Sequence, residues 1–377
     1  MAGPWRRDVA RRLPQTGTRT RSNEAASPRI LFVRPDHLGD VLLTLPAVAG
    51  LRRALPGAHV AYAAAAPGAA VAARSPEVDE SLTVEFPPVS RGAHVDGWAE
   101  TLAAEADGLA HRFDAAVVLR PDDPWSGALV AAASVPLRLG FAMPRTRPYL
   151  TDALPVAGGR HVALDGFDLV DALLARLAVP ARTERTLAAR LVPTPGDERE
   201  ADDVLSDAHA DPGPVVLHPG SGWPLKNWPA SRWRELAVEL AYRLGTTPLV
   251  AGTLAERELV REVTGGTGAL DLAGRLSLGA LAAVHRRARL VVTTDNGALH
   301  LAAIMGAPAV ALFGPGDPVL FAPLAPPGRL RVVRVGLPCS PCGTLEHPPC
   351  GAPVEPDCVT AIGVDAVVRA VDGLLTT

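Results

Sequence analysis

The chain has 377 residues, 48% of them hydrophobic, which is enough to bury two cores of ordinary domain size. Its net charge of −3 and pI near 6.4 argue against general nucleic-acid binding, and no run approaches the roughly 20 apolar residues of a membrane span. All four cysteines lie at or after residue 339 and form no chain-wide disulfide framework, a pattern typical of a cytoplasmic protein.

The first 28 residues differ in composition from the rest. Residues 1–28 carry six arginines against Asp8 and Glu24, and they lack the apolar region of a secretory signal. This composition is typical of a disordered basic tail. The alternative is loose, peripheral contact with the anionic inner face of a membrane, worth up to about 1 kcal/mol per basic residue.

From Arg29 onwards, short aliphatic runs alternate with longer Ala-, Leu- and Arg-rich stretches, the signature of βαβ units on a parallel sheet. A first strand is predicted at residues 30–33, and residues 46–54 belong to the helix after it. Apolar residues at helical spacing predict another helix over 164–177. Further strands are predicted at residues 58–62, 115–119, 138–141, 215–217, 248–251, 290–293, 309–313 and 330–335.

The stretch 178–214 is rich in Pro, Asp and Arg, and we place a domain boundary near residue 193. The sequence therefore predicts two doubly wound α/β halves, 29–192 and 193–377, with a cleft between them. In such sheets ligands bind at the carboxyl ends of strands, next to helix N-termini. Neither half contains Gly-x-Gly-x-x-Gly or a Walker loop, which removes the main support for a dehydrogenase or a P-loop kinase.

The first predicted strand leads into Gly39 and Asp40, just where a helix would begin. Glycine permits a tight turn there. Asp40 could cap the helix, a common role for aspartate at such a position. It could equally lie at the mouth of the cleft as a general base, and spacing alone leaves both open.

Lys226 is the only lysine among the 37 basic residues, which makes it a candidate for a task that a guanidinium cannot perform. It lies in the turn after strand 215–217, together with Ser221 and Gly222. Backbone N–H groups and a hydroxyl could hold a phosphate there, with the ammonium as counter-charge. The alternative is a surface lysine without a special task, which the general replacement of lysine by arginine in this chain has not reached. Three tryptophans nearby are interpreted as packing residues: Trp223, Trp228 and Trp233.

Glu256 follows the strand at 248–251. It could accept ribose hydroxyls, as an acid beyond a nucleotide-binding strand often does. It could also be a solvated glutamate that the helix dipole favours.

The densest signal lies within residues 291–303. A strand ends at Asp295, Gly297 opens a helix, and His300 follows about one turn later. Backbone N–H groups at the start of that helix would suit a diphosphate. An ordinary strand–turn–helix with a capping aspartate is the alternative.

Five motifs follow one another in fixed order: Arg-x4-Gly-Asp, His-Pro-Gly…Lys-x-Trp, Gly-x3-Glu, Asp-x-Gly-x2-His and Phe-Gly-Pro-x-Asp-Pro. Together they resemble the family 9 glycosyltransferases, the bacterial heptosyltransferases of lipopolysaccharide assembly, over about residues 29–375. The resemblance implies a GT-B fold of two Rossmann-like domains, the first binding the acceptor and the second the nucleotide sugar. It also implies inverting transfer of a heptose or similar sugar from an ADP-activated donor, with no metal or other cofactor needed for catalysis.

The resemblance assigns Asp40 as the base that deprotonates the acceptor hydroxyl and Lys226 as a catalytic counter-charge to the diphosphate. Directly after Asp295 the family often has threonine, and this chain has Asn296 instead. Arg120 and Arg145 are the candidate contacts to an anionic acceptor, whose class stays open between lipopolysaccharide core, another glycan, a lipid-linked sugar and a small metabolite. Donor-binding positions are Gly39, Ser221, Gly222, Lys226, Glu256, Leu276, Asp295, Asn296, Gly297 and His300.

Two other functions stay open: a nucleotide-sugar epimerase of GT-B fold, and a non-catalytic nucleotide-sugar-binding protein. The C-terminal domain also contains a cysteine-rich segment, 339–358. The spacing of its thiols permits a structural zinc site, with a disulfide or free buried thiols as alternatives. The four thiols belong to Cys339, Cys342, Cys350 and Cys358.

Overall fold

The computed structural model describes residues 27–87, 98–180, 183–207, 213–352 and 354–376. The tail predicted at 1–28 lies almost entirely outside these ranges. Contacts between backbone positions divide the chain into two compact units between Ala189 and Arg190, a few residues before position 193.

A parallel six-stranded sheet forms the centre of the N-terminal unit, in the order β3-β2-β1-β4-β5-β6. A short 3₁₀ turn lies at Arg147–Tyr149. The strands are β1 (Arg29–Arg34), β2 (His59–Ala64), β3 (Glu80–Thr83), β4 (Ala115–Val118), β5 (Leu137–Phe141) and β6 (Asp152–Leu154). The helices are α1 (Leu38–Ala54), α2 (Ala66–Ala72), α3 (Trp98–Leu109), α4 (Pro124–Ala132) and α5 (Ala163–Arg176).

The C-terminal unit has a second parallel six-stranded sheet, in the order β12-β11-β10-β7-β8-β9. Short 3₁₀ turns lie at Pro224–Lys226 and Leu254–Glu256. The strands are β7 (Val215–His218), β8 (Leu249–Gly252), β9 (Leu270–Ala273), β10 (Leu290–Thr294), β11 (Ala309–Leu312) and β12 (Leu330–Val333). The helices are α6 (Pro195–Asp207), α7 (Ala230–Leu244), α8 (Arg257–Thr264), α9 (Leu278–Arg287), α10 (Gly297–Ile304), α11 (Pro318–Phe321), α12 (Asp357–Thr360) and α13 (Val364–Leu375).

Both sheets have the same strand order, and this order fixes where a ligand can bind. In each, the chain moves outward from the first strand in one direction and then resumes on its other side. The order therefore reverses between β1 and β4 in the first sheet and between β7 and β10 in the second. A crevice opens at the carboxyl ends of two strands where the order reverses. The predicted pair of doubly wound α/β units is confirmed.

Helices cover both faces of the second sheet, which explains the continuous apolar runs of its central strands. Val215 and Leu217 pack in one buried cluster with Trp228 and Trp233, whereas Val216 packs in the cluster on the opposite face. Successive side chains of a strand point to opposite faces, so a strand covered on both sides must be apolar at every position. The two tryptophans are packing residues, as predicted, and their rings meet edge to face at 5.3 Å.

All nine predicted strands and the predicted helix near 164–177 are present, but three strands escaped prediction. These are β3, β6 and β9, and each lies at an edge of its sheet. An edge strand has one neighbour and needs fewer apolar residues, so polar side chains such as Glu80, Asp152 and Asp271 interrupt its pattern.

The stretch 178–214, where composition predicts only a boundary, also contains α6. This helix is mostly charged, but Ala201 and Val204 are buried against the second sheet. Within the ranges that the structure describes, no helix combines the length and apolarity that crossing a membrane requires.

Candidate functional site

The turns after β7 and β10 meet at the backbone carbonyl of Gly220. The Asn296 side-chain Nδ2 donates to this oxygen at 2.7 Å, and the Thr294 hydroxyl donates to it at 3.3 Å. The Asn296 Oδ1 accepts the N–H of Leu299 at 3.0 Å and so caps α10. The cap of this helix is Asn296, and a capping role for Asp295 is wrong.

Asp295 pairs with the lone lysine instead. The Lys226 Nζ lies 2.7 Å from the Asp295 Oδ2, with the two side chains 18% and 7% exposed. A Cβ atom at position 316 would lie 2.3 Å from the same carboxylate oxygen, so Gly316 leaves the space that the carboxylate fills. A mostly buried carboxylate needs a partner of opposite charge, and this ammonium supplies it.

The Ser221 hydroxyl is engaged inside its own turn. Its Oγ lies 2.6 Å from the carbonyl of Trp223 and 2.8 Å from the Asn227 side-chain oxygen, and it accepts the N–H of Trp223 at 3.2 Å. The hydroxyl therefore holds the shape of the loop that carries Lys226. Gly222 beside it is exposed, and a Cβ there would meet nothing within 4 Å.

Glu256, which follows β8, lies next to the turn after β7. Its Oε2 accepts the N–H of Thr253 at 2.7 Å and the Thr253 hydroxyl at 2.9 Å, which closes a capping box. A Cβ at position 220 would lie 2.2 Å from Oε1, so this carboxylate oxygen rests directly against Gly220. Leu276, farther along, is half-buried against the core of the second sheet.

Two buried histidines, one at the end of β7 and one in α9, contact each other, and the sequence did not predict this pair. The Nε2 atoms of His218 and His285 lie 3.0 Å apart, and both rings are buried. Burial lowers the pKa of His218 to about 4, and burial together with His218 lowers the pKa of His285. Both rings are neutral near pH 7, where one Nε2 donates and the other accepts. His300, inside α10, is also buried.

In the first unit, Asp40 lies at the reversal point between β1 and β4. The helix α1 begins at Leu38 after the N-cap position of His37, so Asp40 belongs to its first turn and is not the cap. The Arg34 Nη2 donates to the Asp40 Oδ1 at 3.1 Å. The Asp40 side chain is 29% exposed, so this carboxylate can reach a ligand.

Behind Asp40 lies a second carboxylate, Asp36, whose side chain is only 8% exposed. It forms ion pairs with the Arg34 Nε at 2.6 Å and the Arg120 Nη1 at 2.9 Å. Burial raises the pKa of Asp36, and the two guanidinium groups oppose that rise. Arg120, predicted as an acceptor contact, therefore already has an acidic partner.

The other predicted acceptor contact, Arg145, is also paired. Its guanidinium lies 2.6 Å from the Asp122 carboxylate, and this arginine is exposed. Both arginines lie on segments that follow strands β4 and β5 of the first sheet. Each would have to share its charge between its aspartate and an anionic acceptor.

The cysteine-rich segment packs against the turn after β11. The Ser340 hydroxyl donates to the carbonyl of Gly314 at 2.6 Å, and the N–H of Gly343 donates to the carbonyl of Pro315 at 2.9 Å. Cys358 is buried in the core, while Cys339 and Cys350 are exposed.

Burial and the neighbouring thiols of Cys342, Cys350 and Cys339 raise the pKa of Cys358. All four cysteines are free. Among the residues with described positions, no three His, Cys, Asp or Glu side chains are arranged to hold a metal ion. The structural zinc site stays a prediction.

A family model and a curated relative both match this chain, and they indicate the same family. The model of glycosyltransferase family 9 (heptosyltransferase) matches residues 108–348. The lipopolysaccharide heptosyltransferase 1 of Pseudomonas aeruginosa is 30% identical over 333 residues, covering 83% of this chain and 86% of the relative.

Two solved structures share the fold. A family 9 glycosyl transferase from Veillonella parvula has a TM-score of 0.74 at 24% identity and covers 94% of this chain and 99% of its own. An Escherichia coli heptosyltransferase solved with ADP has a TM-score of 0.68 at 20% identity and covers 92% and 99%. Both likenesses extend over the two doubly wound units. On the family match and the curated relative together, the chain belongs to glycosyltransferase family 9 and is a glycosyltransferase.

Proposed function

We propose that the protein is an inverting glycosyltransferase that moves a heptose from an ADP-activated donor to a hydroxyl group of a lipopolysaccharide-core acceptor. The observation that carries the proposal is the pairing of Lys226 with Asp295 at the reversal point of the second sheet. Membership of a heptosyltransferase family supports the sugar, and the solved relative with ADP supports the nucleotide. The Pseudomonas relative supports the acceptor class.

The donor diphosphate would lie beside Lys226, at the start of α10. The first N–H groups of a helix have no acceptor within it and carry a partial positive charge. Asn296 takes only the N–H of Leu299, which leaves those of Gly297 and Ala298 for phosphate oxygens. Lys226 would add a full charge, so the departing diphosphate is stabilised by the protein itself and the proposal requires no metal.

The ribose and base would extend towards the end of β8. Glu256 already uses one carboxylate oxygen within its capping box, and the other lies against Gly220 beside the diphosphate site. That second oxygen would accept a ribose hydroxyl. Leu276 offers an apolar surface to the base from the cluster on which it packs.

Asp40 would act as the base in the first unit. Its carboxylate takes the proton from the acceptor hydroxyl while that oxygen forms a bond to the anomeric carbon of the heptose. The bond from this carbon to the β-phosphate oxygen breaks, and ADP leaves with the bonding electrons. Attack opposite the leaving group inverts the anomeric configuration.

A nucleotide panel tests the donor. We expect ADP to bind the purified protein at least about tenfold more tightly than UDP or GDP, measured by titration calorimetry, because a base site lined by Leu276 selects among bases. Release of ADP from ADP-heptose should require an acceptor. A preference for UDP or GDP would move the donor elsewhere, and turnover of donor without acceptor would indicate an epimerase.

Replacing Lys226 by arginine keeps the charge but changes its shape. A guanidinium is a broad, flat group and cannot take the place of the ammonium against the Asp295 carboxylate without a shift, so we expect kcat/KM to fall at least about tenfold. The matched control is Arg232→Lys, the reverse exchange at an exposed position of α7, which should be neutral. Near-wild-type turnover by Lys226→Arg would contradict the point-charge role.

Replacing Asp40 by asparagine removes the base and keeps its size. We expect transfer to fall at least about 10²-fold, because general-base catalysis contributes that much, while ADP affinity stays within about twofold. Asp107→Asn, on the exposed face of α3, is the control for the exchange itself. If Asp40→Asn instead loses ADP affinity and keeps transfer, Asp40 is structural.

The substitution Asn296→Ser separates the two tasks of Asn296, which are capping α10 and donating to the Gly220 carbonyl. A serine hydroxyl can still cap α10, but it is too short to reach the Gly220 carbonyl. Losing that hydrogen bond costs about 1 kcal/mol, so we expect the KM for donor to rise roughly fivefold with little change in Tm. An unchanged KM would show that the link between the two turns does not shape the donor site.

A further inference from the structure

Arg34, at the end of β1, lies directly behind Asp40 and is itself nearly enclosed. Its side chain is only 14% exposed. Its Nη1 donates to the carbonyl of Leu119 at 3.0 Å, at the end of the neighbouring strand β4. A buried cation costs free energy unless every donor finds an acceptor, so a guanidinium at this point needs a reason beyond packing.

The three nitrogens of Arg34 have different partners. Nη1 is fixed by Leu119, Nε lies 2.6 Å from Asp36, and Nη2 donates to Asp40. Asp36 is held in turn by Arg120 at 2.9 Å. The contact with Asp36 is an ion pair without hydrogen-bond geometry, so the Arg34 hydrogen bonds are those of Nη1 and Nη2. Because the guanidinium is planar and rigid, the bond from Nη1 to Leu119 limits where Nη2 points. Arg34 therefore holds the Asp40 Oδ1 in place, and the other carboxylate oxygen of Asp40 stays available to a substrate.

The charge on Arg34 is divided between two carboxylates. An arginine that served Asp40 alone would orient it but would also weaken it as a base, because a nearby cation stabilises the charged form of a carboxylate. Asp36, 2.6 Å from the same guanidinium, takes part of that field and adds a negative charge nearby.

We propose that Arg34 is a positioning residue for the general base Asp40, and that Asp36 shares its charge so that Asp40 stays able to accept the acceptor's proton. This inference rests on the proposed role of Asp40 as the base. It adds a second acidic residue, whose side chain is only 8% exposed, to the machinery of the transfer.

The other titratable and charged groups around this site come from four segments. Asp123 caps α4 through the N–H of Ser126, and burial raises its pKa. Tyr62 of β2 is buried with its hydroxyl 2.6 Å from that of Thr44, and burial raises its pKa, so it stays neutral. His37 precedes α1, and Arg120 follows β4. These groups are the same in every variant below, so changes between variants report on the substituted position.

The test is the pH dependence of kcat/KM for transfer in three variants of the full chain. In such a profile the acidic limb is the range in which kcat/KM falls as the base takes up a proton. Arg34→Gln removes the charge, so this limb should move to higher pH by about 1 pH unit. Asp36→Asn leaves Arg34 to Asp40 alone, so the acidic limb should move to lower pH by a similar amount. Arg34→Lys keeps the charge but loses the fork, so the limb should stay while kcat falls roughly tenfold and the KM for donor is unchanged.

Opposite shifts for Arg34→Gln and Asp36→Asn are the signature, because a merely structural role would lower activity in both without moving the limbs apart. Circular dichroism and ADP binding identify a variant that fails to fold. If Arg34→Gln does so, the shift of Asp36→Asn to lower pH decides alone. Limbs that stay in place while Asp40→Asn remains inactive would overturn this inference and leave the proposed function intact. An active Asp40→Asn would overturn the proposed base itself.

Discussion

The ion pair between Lys226 and Asp295 joins two turns at the reversal point of the second sheet, and the proposed donor site depends on it. Asp295 is almost fully buried, so without a cation it would be an uncompensated charge. The pair places an ammonium group beside the start of α10, with its charge balanced by the Asp295 carboxylate. In a chain whose other Lys or Arg positions are all arginine, this is the one position that carries a compact ammonium instead of a planar fork.

The rest of the donor site keeps that pair in place. Asn296 ties the turn after β10 to the turn after β7 through Gly220, and Glu256 rests against the same glycine from the side of β8. The neutral pair of His218 and His285 joins the end of β7 to α9 without adding charge near the proposed diphosphate site. Three strand ends thus converge on one residue that cannot carry a side chain.

The first sheet uses the other kind of cation for a different purpose. The proposed base there would have to be held in one orientation and still accept a proton, and a rigid fork suits that task better than a point charge. Arg34 contacts the neighbouring strand, Asp36 and Asp40 at once. The two units share one topology, and each has a cation–carboxylate contact at its reversal point.

Much of this could be predicted from the sequence, because strand–turn–helix units are local and their apolar runs are continuous. The two halves, nine strands and the strand-end motifs all follow from such patterns. What could not be predicted depends on partners far apart in the chain, such as Lys226 with Asp295 or His218 with His285. Spacing also could not decide which of two adjacent polar residues caps α10.

The edge strands β3, β6 and β9 and the helix α6 were missed for a related reason, since polar side chains mask their apolar pattern. The most direct test of the account is a crystal structure of the protein with ADP. The account predicts a phosphate oxygen about 2.7–2.9 Å from the Lys226 Nζ, the length of a charge-assisted hydrogen bond, and a second within reach of the N–H groups at the start of α10. A diphosphate bound away from Lys226, with its pairing to Asp295 undisturbed, would contradict it.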